Sequence, residues 1–328
     1  MTDILTSLAP LADRINQTLA ELIARDEGVV ARISGYNFQG GGKRLRPLVF
    51  CLVSAALGRA LTQKVLATSA AFEFLHQATL LHDDIVDQST VRRGRPAAHL
   101  AFGVPQTILA GDYLLSKASR LGAETENLAS IRLLARMVGT MSLGELAQLD
   151  ARRQVDLGPA EYFRIIYRKT AVLLEAAARS AAVLAEAAPL AQSAAGRFGR
   201  KLGLAFQIID DLLDYQGDEA VLGKPVGRDL DEGKITLPFI LAREALPPDR
   251  RDRLCRLAGP DAAAGGRLSP EAFQEIAGLV AEGGGLEAAR QQAEYLAERA
   301  VEALAAWPPS PARDQLTALA AYVTTRTR

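Results

Sequence analysis

Histidine, cysteine and tryptophan are nearly missing from this chain of 328 residues, with three, two and one copies. Cys51 and Cys255 lie in apolar or helical surroundings, form no ligand pair, and fit a reducing cytoplasm. Aromatics reach only 5% and β-branched runs are scarce, while alanine and leucine dominate. That composition excludes little but argues against sheets, and it predicts an all-α protein. Neither charge sign is in excess: 38 basic residues face 38 acidic ones, so no nucleic-acid footprint is present. Long hydrophobic runs are also lacking. The longest, Pro47 to Gly58, is too short to span a bilayer. No basic region followed by an apolar core opens the chain, so we expect no signal peptide, no transmembrane segment, and a cytoplasmic location. Without a convincing linker, the expectation is one domain over residues 1–328.

What is present is acidic and repeated. Asp83-Asp84-x-x-Asp87 and Asp210-Asp211-x-x-Asp214 each interrupt an apolar run. Residues four apart share a helix face, so Asp83 stacks on Asp87 and Asp210 on Asp214. Leu80, Leu81, Ile85 and Val86 flank the first motif, and Ile208, Ile209, Leu212 and Leu213 the second, which marks both as core helices. Carboxylates crowded on a buried face are costly unless something neutralises them. Oxygen ligands without cysteine or several histidines suit Mg²⁺, which keeps waters and bridges to a substrate phosphate.

Residues 3–25 carry a helical pattern, followed by a turn containing Gly35, Asn37 and Gly40. Pro47 suits the first turn of a helix running to about Gly58. The next helix, roughly 62–87, holds the first motif and empties into the basic loop Val91-Arg92-Arg93-Gly94-Arg95-Pro96. Helix resumes after Pro105 and continues through about 125–150. It restarts after Pro159 as a long alanine-rich helix containing Lys169-Thr170. The helix after Pro189 carries the second motif and stops near Gly217. The glycine- and charge-rich segment 217–234 is a candidate lid. Shorter helices without motifs complete the chain.

Basic groups accompany the acidic ones. Lys43, Arg46, Arg92, Arg93, Lys169, Lys224 and Lys234 lie beside the motifs or in the loops that follow. Arginine forks bind phosphate in bidentate fashion and lysines bind it as point charges. Two Mg²⁺-binding acidic faces and two cation sets would hold two highly charged phosphorylated substrates. His76 lies two turns before Asp83 on the same face, where a core hydrogen-bonding role competes with a functional one. His82-Asp83 invites comparison with His-Asp metal phosphohydrolases, but the remaining His76 and His99 are too few to complete such a site.

In order along residues 40–240, Gly-Gly-Gly-Lys43-Arg44-Leu-Arg46-Pro, His76, Asp83-Asp84-x-x-Asp87, Arg92-Arg93-Gly94, Lys169-Thr170, Phe206-Gln207-x-x-Asp210-Asp211-x-x-Asp214, Gly223-Lys224 and Gly233-Lys234 resemble the trans-type polyprenyl diphosphate synthases. The resemblance implies an isoprenoid-synthase fold of long helices around a deep central cavity, usually as a homodimer. It implies that Asp83, Asp84, Asp87, Asp210 and Asp214 ligate Mg²⁺, or Mn²⁺ in its place, with Asp211 acting through a neighbouring ligand or a water. Arg92, Lys169, Lys224 and Lys234 would hold an allylic diphosphate primer, farnesyl or geranylgeranyl diphosphate, with Gln207 and Thr170 nearby. Lys43, Arg46, His76 and Arg93 would hold isopentenyl diphosphate. Asp83, Asp84, Asp87, Lys169, Gln207, Asp210, Asp211 and Lys224 make up the implied catalytic set.

The chemistry agrees with this inventory. Mg²⁺ and cations stabilise charge on departing pyrophosphate, the alkene attacks the allylic carbocation, and pyrophosphate can take the last proton. No protein nucleophile is required. In the family the product-size wall lies just before Asp83, where short-chain enzymes carry aromatics. Here the positions are Ala78 and Thr79, so the resemblance points to octaprenyl-to-decaprenyl synthases that make quinone side chains. A geranylgeranyl-type product is the alternative. A class I terpene cyclase would have no use for Lys43 and Arg46, and a non-catalytic partner subunit would not need both intact acidic motifs.

Overall fold

Proline opens helix after helix along this chain, because its fixed φ and missing N–H suit the first turn. The computed structural model describes residues 4–39, 42–216, 227–260 and 268–326. Helices α1 (Ile4–Ile23), α2 (Gly28–Gln39), α3 (Leu45–Ala56) and α4 (Gln63–Val86) come first. The two-residue strands β1 (Val91–Arg92) and β2 (Arg95–Pro96) then pair antiparallel, with Arg92 opposite Arg95. Next come α5 (Ala98–Phe102), α6 (Val104–Ala123) and α7 (Leu128–Asp150). Helix α8 (Pro159–Ile166) continues through a π-helical turn, Tyr167–Ala171, into α9 (Val172–Leu184), and α10 (Pro189–Gln216) follows. The remainder is α11 (Arg228–Asp231), α12 (Leu237–Ala245), α13 (Pro248–Ala258), α14 (Pro270–Glu282), α15 (Gly285–Ala303) and α16 (Pro311–Thr325). Among the described residues no helix is long and apolar enough to cross a membrane.

Contacts sort the chain into two units. One comprises Met1–Val138, Leu173–Gly199 and Ala303–Leu319; the other comprises Gly139–Val172, Arg200–Glu302 and Ala320–Arg328.

In the first unit α4 is the central element and packs on α6, α3 and α1. Thr62 caps it, accepting a hydrogen bond from the Val65 amide, and the helix buries side chains from Val65 to Asp84. Its buried positions run nearly all the way round, polar ones such as Glu73 and Gln77 included, so it is stable only when surrounded. Phe72 meets Phe50 at 5.5 Å and Phe74 meets Phe38 at 5.4 Å. Such pairs add about 1 kcal/mol each beyond their burial. Where α4 meets α6, a Cβ on Gly111 would stand 2.2 Å from Nε2 of His82, so only glycine leaves room for that ring.

Two details differ from the sequence pattern. The turn expected at Gly35 and Asn37 is part of α2, which buries Ile33, Ser34 and Phe38. The Asn37 amide does not cap a local turn but donates to Oε1 of Gln77 at 2.9 Å. Val86, expected in the core, is exposed at the end of α4.

In the second unit α12 packs on α8, α13 and α14. The π turn is gripped from two sides. A Cβ on Gly144 of α7 would lie 2.6 Å from the Lys169 amide nitrogen, and one on Gly203 of α10 would lie 2.6 Å from the Ala171 Cα. Neither backbone contact could yield to a side chain, so these glycines fix where Lys169 and Thr170 stand.

Candidate active site

The first acidic motif occupies the last turn of α4, with Asp87 as its C-cap. Asp84 is 2% exposed and faces inward. It receives the Arg92 guanidinium as a fork, with Nε at 3.0 and 3.2 Å and Nη2 on Oδ1. The short β1–β2 ladder holds Arg92 in place for this. Asp83 and Asp87 are half-buried. His82, beside them, sets Nε2 at 3.1 Å from the Ile108 carbonyl and 3.5 Å from Asp112.

The same unit gathers cations around His76. Desolvation first, then Arg46, Arg93, Arg92 and Arg44, holds this imidazole well below its ordinary pKa, so it is neutral near pH 7. The structure thus brings the predicted Arg46, His76, Arg92 and Arg93 into one neighbourhood. Lys43 is half-buried on the chain leading into α3. A Cβ on Gly42 would lie 3.3 Å from Arg93 Nη2 and 3.4 Å from Arg44 Nη1, so both guanidinium groups border that glycine. Ala78 is buried, and the Thr79 hydroxyl donates to the His76 carbonyl at 2.8 Å.

In the second unit the three aspartates of α10 again divide. The Asp210 side chain is 45% exposed, while Asp211 and Asp214 are 3% and 1% exposed. Asp211 accepts from the Tyr162 hydroxyl at 2.5 Å and from Gln207 Nε2 at 2.8 Å. Burial, then nearby Asp229, pushes its pKa well above the carboxylate range, and the two donors oppose this. Gln207 Oε1 in turn accepts from the Thr170 hydroxyl at 2.8 Å, and Lys169 Nζ binds Gln148 at 2.5 Å and Glu145 at 2.6 Å. Asp214 accepts from the Asp229 amide at 2.9 Å, and Lys234 pairs with Glu232. Arg326 lies 3.5 Å from Asp210, donates to the Phe206 carbonyl at 2.9 Å, and stacks 3.9 Å over the Phe206 ring. Lys224 and Gly223, with most of the candidate lid, lie outside the described residues, as do Gly40 and Gly41.

Sequence reasoning passed over Arg44, Glu73, Tyr162, Gln148, Asp229 and Arg326. A lone Glu73 within an apolar helix was a usable signal. Tyr162 and Arg326 gave none, being remote in sequence from the motif they touch.

Among the described residues no three His, Cys, Asp or Glu side chains converge as a metal-binding group. Mg²⁺ does not require one, since it usually takes one or two carboxylates plus waters and substrate phosphates. Asp83 and Asp87, and separately Asp210, are the more accessible carboxylates of their motifs and fit that role. Asp84, Asp211 and Asp214 already accept hydrogen bonds from protein donors.

A family model described as polyprenyl synthetase matches residues 27–276. The octaprenyl diphosphate synthase of Escherichia coli (strain K12) is 37% identical over 314 residues, covering 96% of this chain and 95% of that protein. An all-trans-nonaprenyl-diphosphate synthase (geranyl-diphosphate specific) of Rhodobacter capsulatus is 35% identical over 314 residues, covering 96% and 94%. The crystal structure of a polyprenyl synthase from Caulobacter crescentus CB15, complexed with calcium and isoprenyl diphosphate, superposes with a TM-score of 0.92. That pair shares 35% identity, over 100% of this chain and 98% of the other.

Proposed function

This chain belongs to the polyprenyl synthetase family, and from that premise we propose that it condenses isopentenyl diphosphate onto an allylic diphosphate to build a long-chain all-trans polyprenyl diphosphate. The observation that carries the reading is that one chain holds two intact Asp-Asp-x-x-Asp motifs and, around His76, an arginine cluster. The family model runs through both structural units, which supports a single catalytic domain over residues 1–328.

Asp83 and Asp87 on α4, and separately Asp210 on α10, would hold Mg²⁺, with Mn²⁺ as a substitute, because they keep accessible oxygens. Bound there, the metal supplies positive charge to the pyrophosphate as it leaves. Asp84 aims Arg92 at that diphosphate, Asp211 fixes Gln207 and through it Thr170, and Asp214 ties down the segment containing Asp229. Lys169, Lys224 and Lys234 add charge for the allylic diphosphate. Lys43, Arg46, His76 and Arg93 receive isopentenyl diphosphate, and a neutral His76 can donate a hydrogen bond without adding to the cation crowd. The departing pyrophosphate takes the final proton, so no protein base is assigned. Apolar walls of α4 keep water from the carbocation.

The primer is farnesyl or geranylgeranyl diphosphate, and the product is of octaprenyl to decaprenyl length, for a quinone side chain. The protein is a homodimer joined through the exposed apolar face of α6, where Val104, Ile108, Leu109 and Tyr113 reach solvent. It works in the cytoplasm. The unpaired Cys51 and Cys255 fit that compartment, and burial pushes the Cys51 thiol up to about 12.

Incubation of the full chain with farnesyl diphosphate, isopentenyl diphosphate and MgCl₂ tests this, with chromatography of the dephosphorylated products. Alcohols of eight to ten isoprene units are expected. A product stopping at geranylgeraniol would move the enzyme to the short-chain class, a cyclised hydrocarbon would make it a terpene cyclase, and no condensation would end the proposal.

A further inference from the structure

The arginine cluster around His76 contains one member that is locked inward. Arg44 is 7% exposed and caps the N-terminus of α3 with φ 48 and ψ 35, a left-handed conformation. A non-glycine residue there costs on the order of 1 kcal/mol and persists only where its surroundings determine it. Here they do. Nη1 binds Glu73 at 2.8 Å, Nε binds Asn16 at 3.0 Å, and Nη2 binds the Phe38 carbonyl at 3.2 Å. Three acceptors from α4, α1 and α2 therefore hold one guanidinium. Glu73, itself 2% exposed, shares Oε1 with Gln77 at 2.8 Å, and Gln77 accepts from Asn37.

This network abuts the groups assigned to isopentenyl diphosphate. Gln77 is the next residue after His76, and Arg44 and Arg93 both border Gly42. Although Arg93 as a whole residue is exposed, desolvation and Arg44 lower its pKa while Glu73 opposes them. Glu73 thus supplies buried negative charge at Arg44, as Asp84 does at Arg92, in a cluster where arginines crowd together. Without it, Arg44 would repel Arg93 beside Gly42, and the left-handed turn that presents Lys43 would lose its anchor.

We infer that Arg44 and Glu73 are positioning residues for the isopentenyl diphosphate half-site, holding Gly42, Lys43 and Arg93 in the arrangement that receives a diphosphate. The inference rests on the assignment of Lys43, Arg46, His76 and Arg93 to that substrate. Arg44 is turned away from the substrate in this role and acts only through its neighbours.

Steady-state kinetics of the full-length Glu73→Gln variant, with each substrate varied in turn, is the test. The Michaelis constant for isopentenyl diphosphate should rise roughly tenfold, the size of one weakened charge-assisted contact. That for the allylic primer and the turnover number should stay within about twofold. No change, or equal change for both substrates, overturns the inference. Because Glu73→Gln leaves a buried cation unpaired and can unfold the protein, the double variant Arg44→Met/Glu73→Leu is measured beside it. A merely structural role predicts that this apolar pair restores melting temperature and isopentenyl diphosphate affinity together. Positioning predicts a restored melting temperature with the affinity still reduced. If the wild-type chain performs no condensation, the functional reading fails separately. Calorimetric titration of isopentenyl diphosphate into wild type and Glu73→Gln then decides the half-site: weaker binding by the variant supports the inference, and equal binding overturns it.

Discussion

Arg92 reaches back eight residues to fork across the Asp84 carboxylate, while Asp83, the preceding residue, is half-buried and accessible. Neighbours on a helix point about 100° apart, so one faces the core and the other the solvent side. The two substitutions should therefore fail differently. Asp83→Ala should lower condensation by at least about a hundredfold while changing stability by less than about 0.5 kcal/mol. Asp84→Ala should cost roughly 1–2 kcal/mol in urea denaturation, because it strips Arg92 of its partner, an effect moderated by the arginine's partial exposure. Equal destabilisation by both would show that the division of the motif is wrong.

The Tyr162 hydroxyl on Asp211 supports the second motif from α8. Tyr162→Phe removes one of two donors to a buried carboxylate, at a cost of about 1–3 kcal/mol. The relay Asp211–Gln207–Thr170 would slacken with it. We expect a higher Michaelis constant for the allylic primer with little change for isopentenyl diphosphate, read from paired substrate titrations. A variant equal to wild type in both stability and primer binding would remove Tyr162 from this role.

Both acidic helices could be read from spacing alone, and so could the starts of α8 and α10 on proline, because these depend on neighbours within a turn or two. The sequence could not show which carboxylates turn inward. Asp214 shares a face with Asp210, yet it is buried because the amide of Asp229, far along the chain, closes over it. Asn37 looked like a turn residue because its amide often bonds locally, but here it is used across to α4. Arg326 meets Phe206 and Asp210 across 120 and 116 residues, a pairing no local pattern encodes.

His76 gives a pH signature. Its folded pKa lies well below the ordinary value, through desolvation and four arginines. About a unit or more above pH 6.5 the imidazole is neutral folded or unfolded, and it contributes no pH dependence. Below that, the unfolded chain takes up a proton the folded chain refuses, so stability falls as the pH drops. Denaturation midpoints at pH 7.5 and 5.5 should differ less for His76→Gln than for wild type. An unchanged difference would show that other groups govern the acid limb.

The chain-length role proposed for Ala78, which is buried on α4 just before the first motif, gives a prediction about product size. A chain growing from a diphosphate fixed near Asp83 and descending along this helix must pass Thr79 and Ala78 early. Packed interiors yield poorly to added bulk, and a phenyl ring in place of a methyl group costs typically 1–3 kcal/mol where no space exists. If alanine here borders the path of the chain, Ala78→Phe meets open tunnel instead of packed atoms. It should then remain folded and active, because Asp83 lies more than a helical turn away, yet stop near farnesyl or geranylgeranyl length. Thr79→Phe should shorten the product too, with a larger loss of rate. It sits one turn below Asp83 on the same face, and its hydroxyl bond to the His76 carbonyl is lost. Reversed-phase separation of dephosphorylated products from wild type and both variants reads the outcome. An active Ala78→Phe enzyme that still makes the long product would mean the chain descends elsewhere. A variant that is destabilised by several kcal/mol would mean that Ala78 is packed against protein and borders no tunnel.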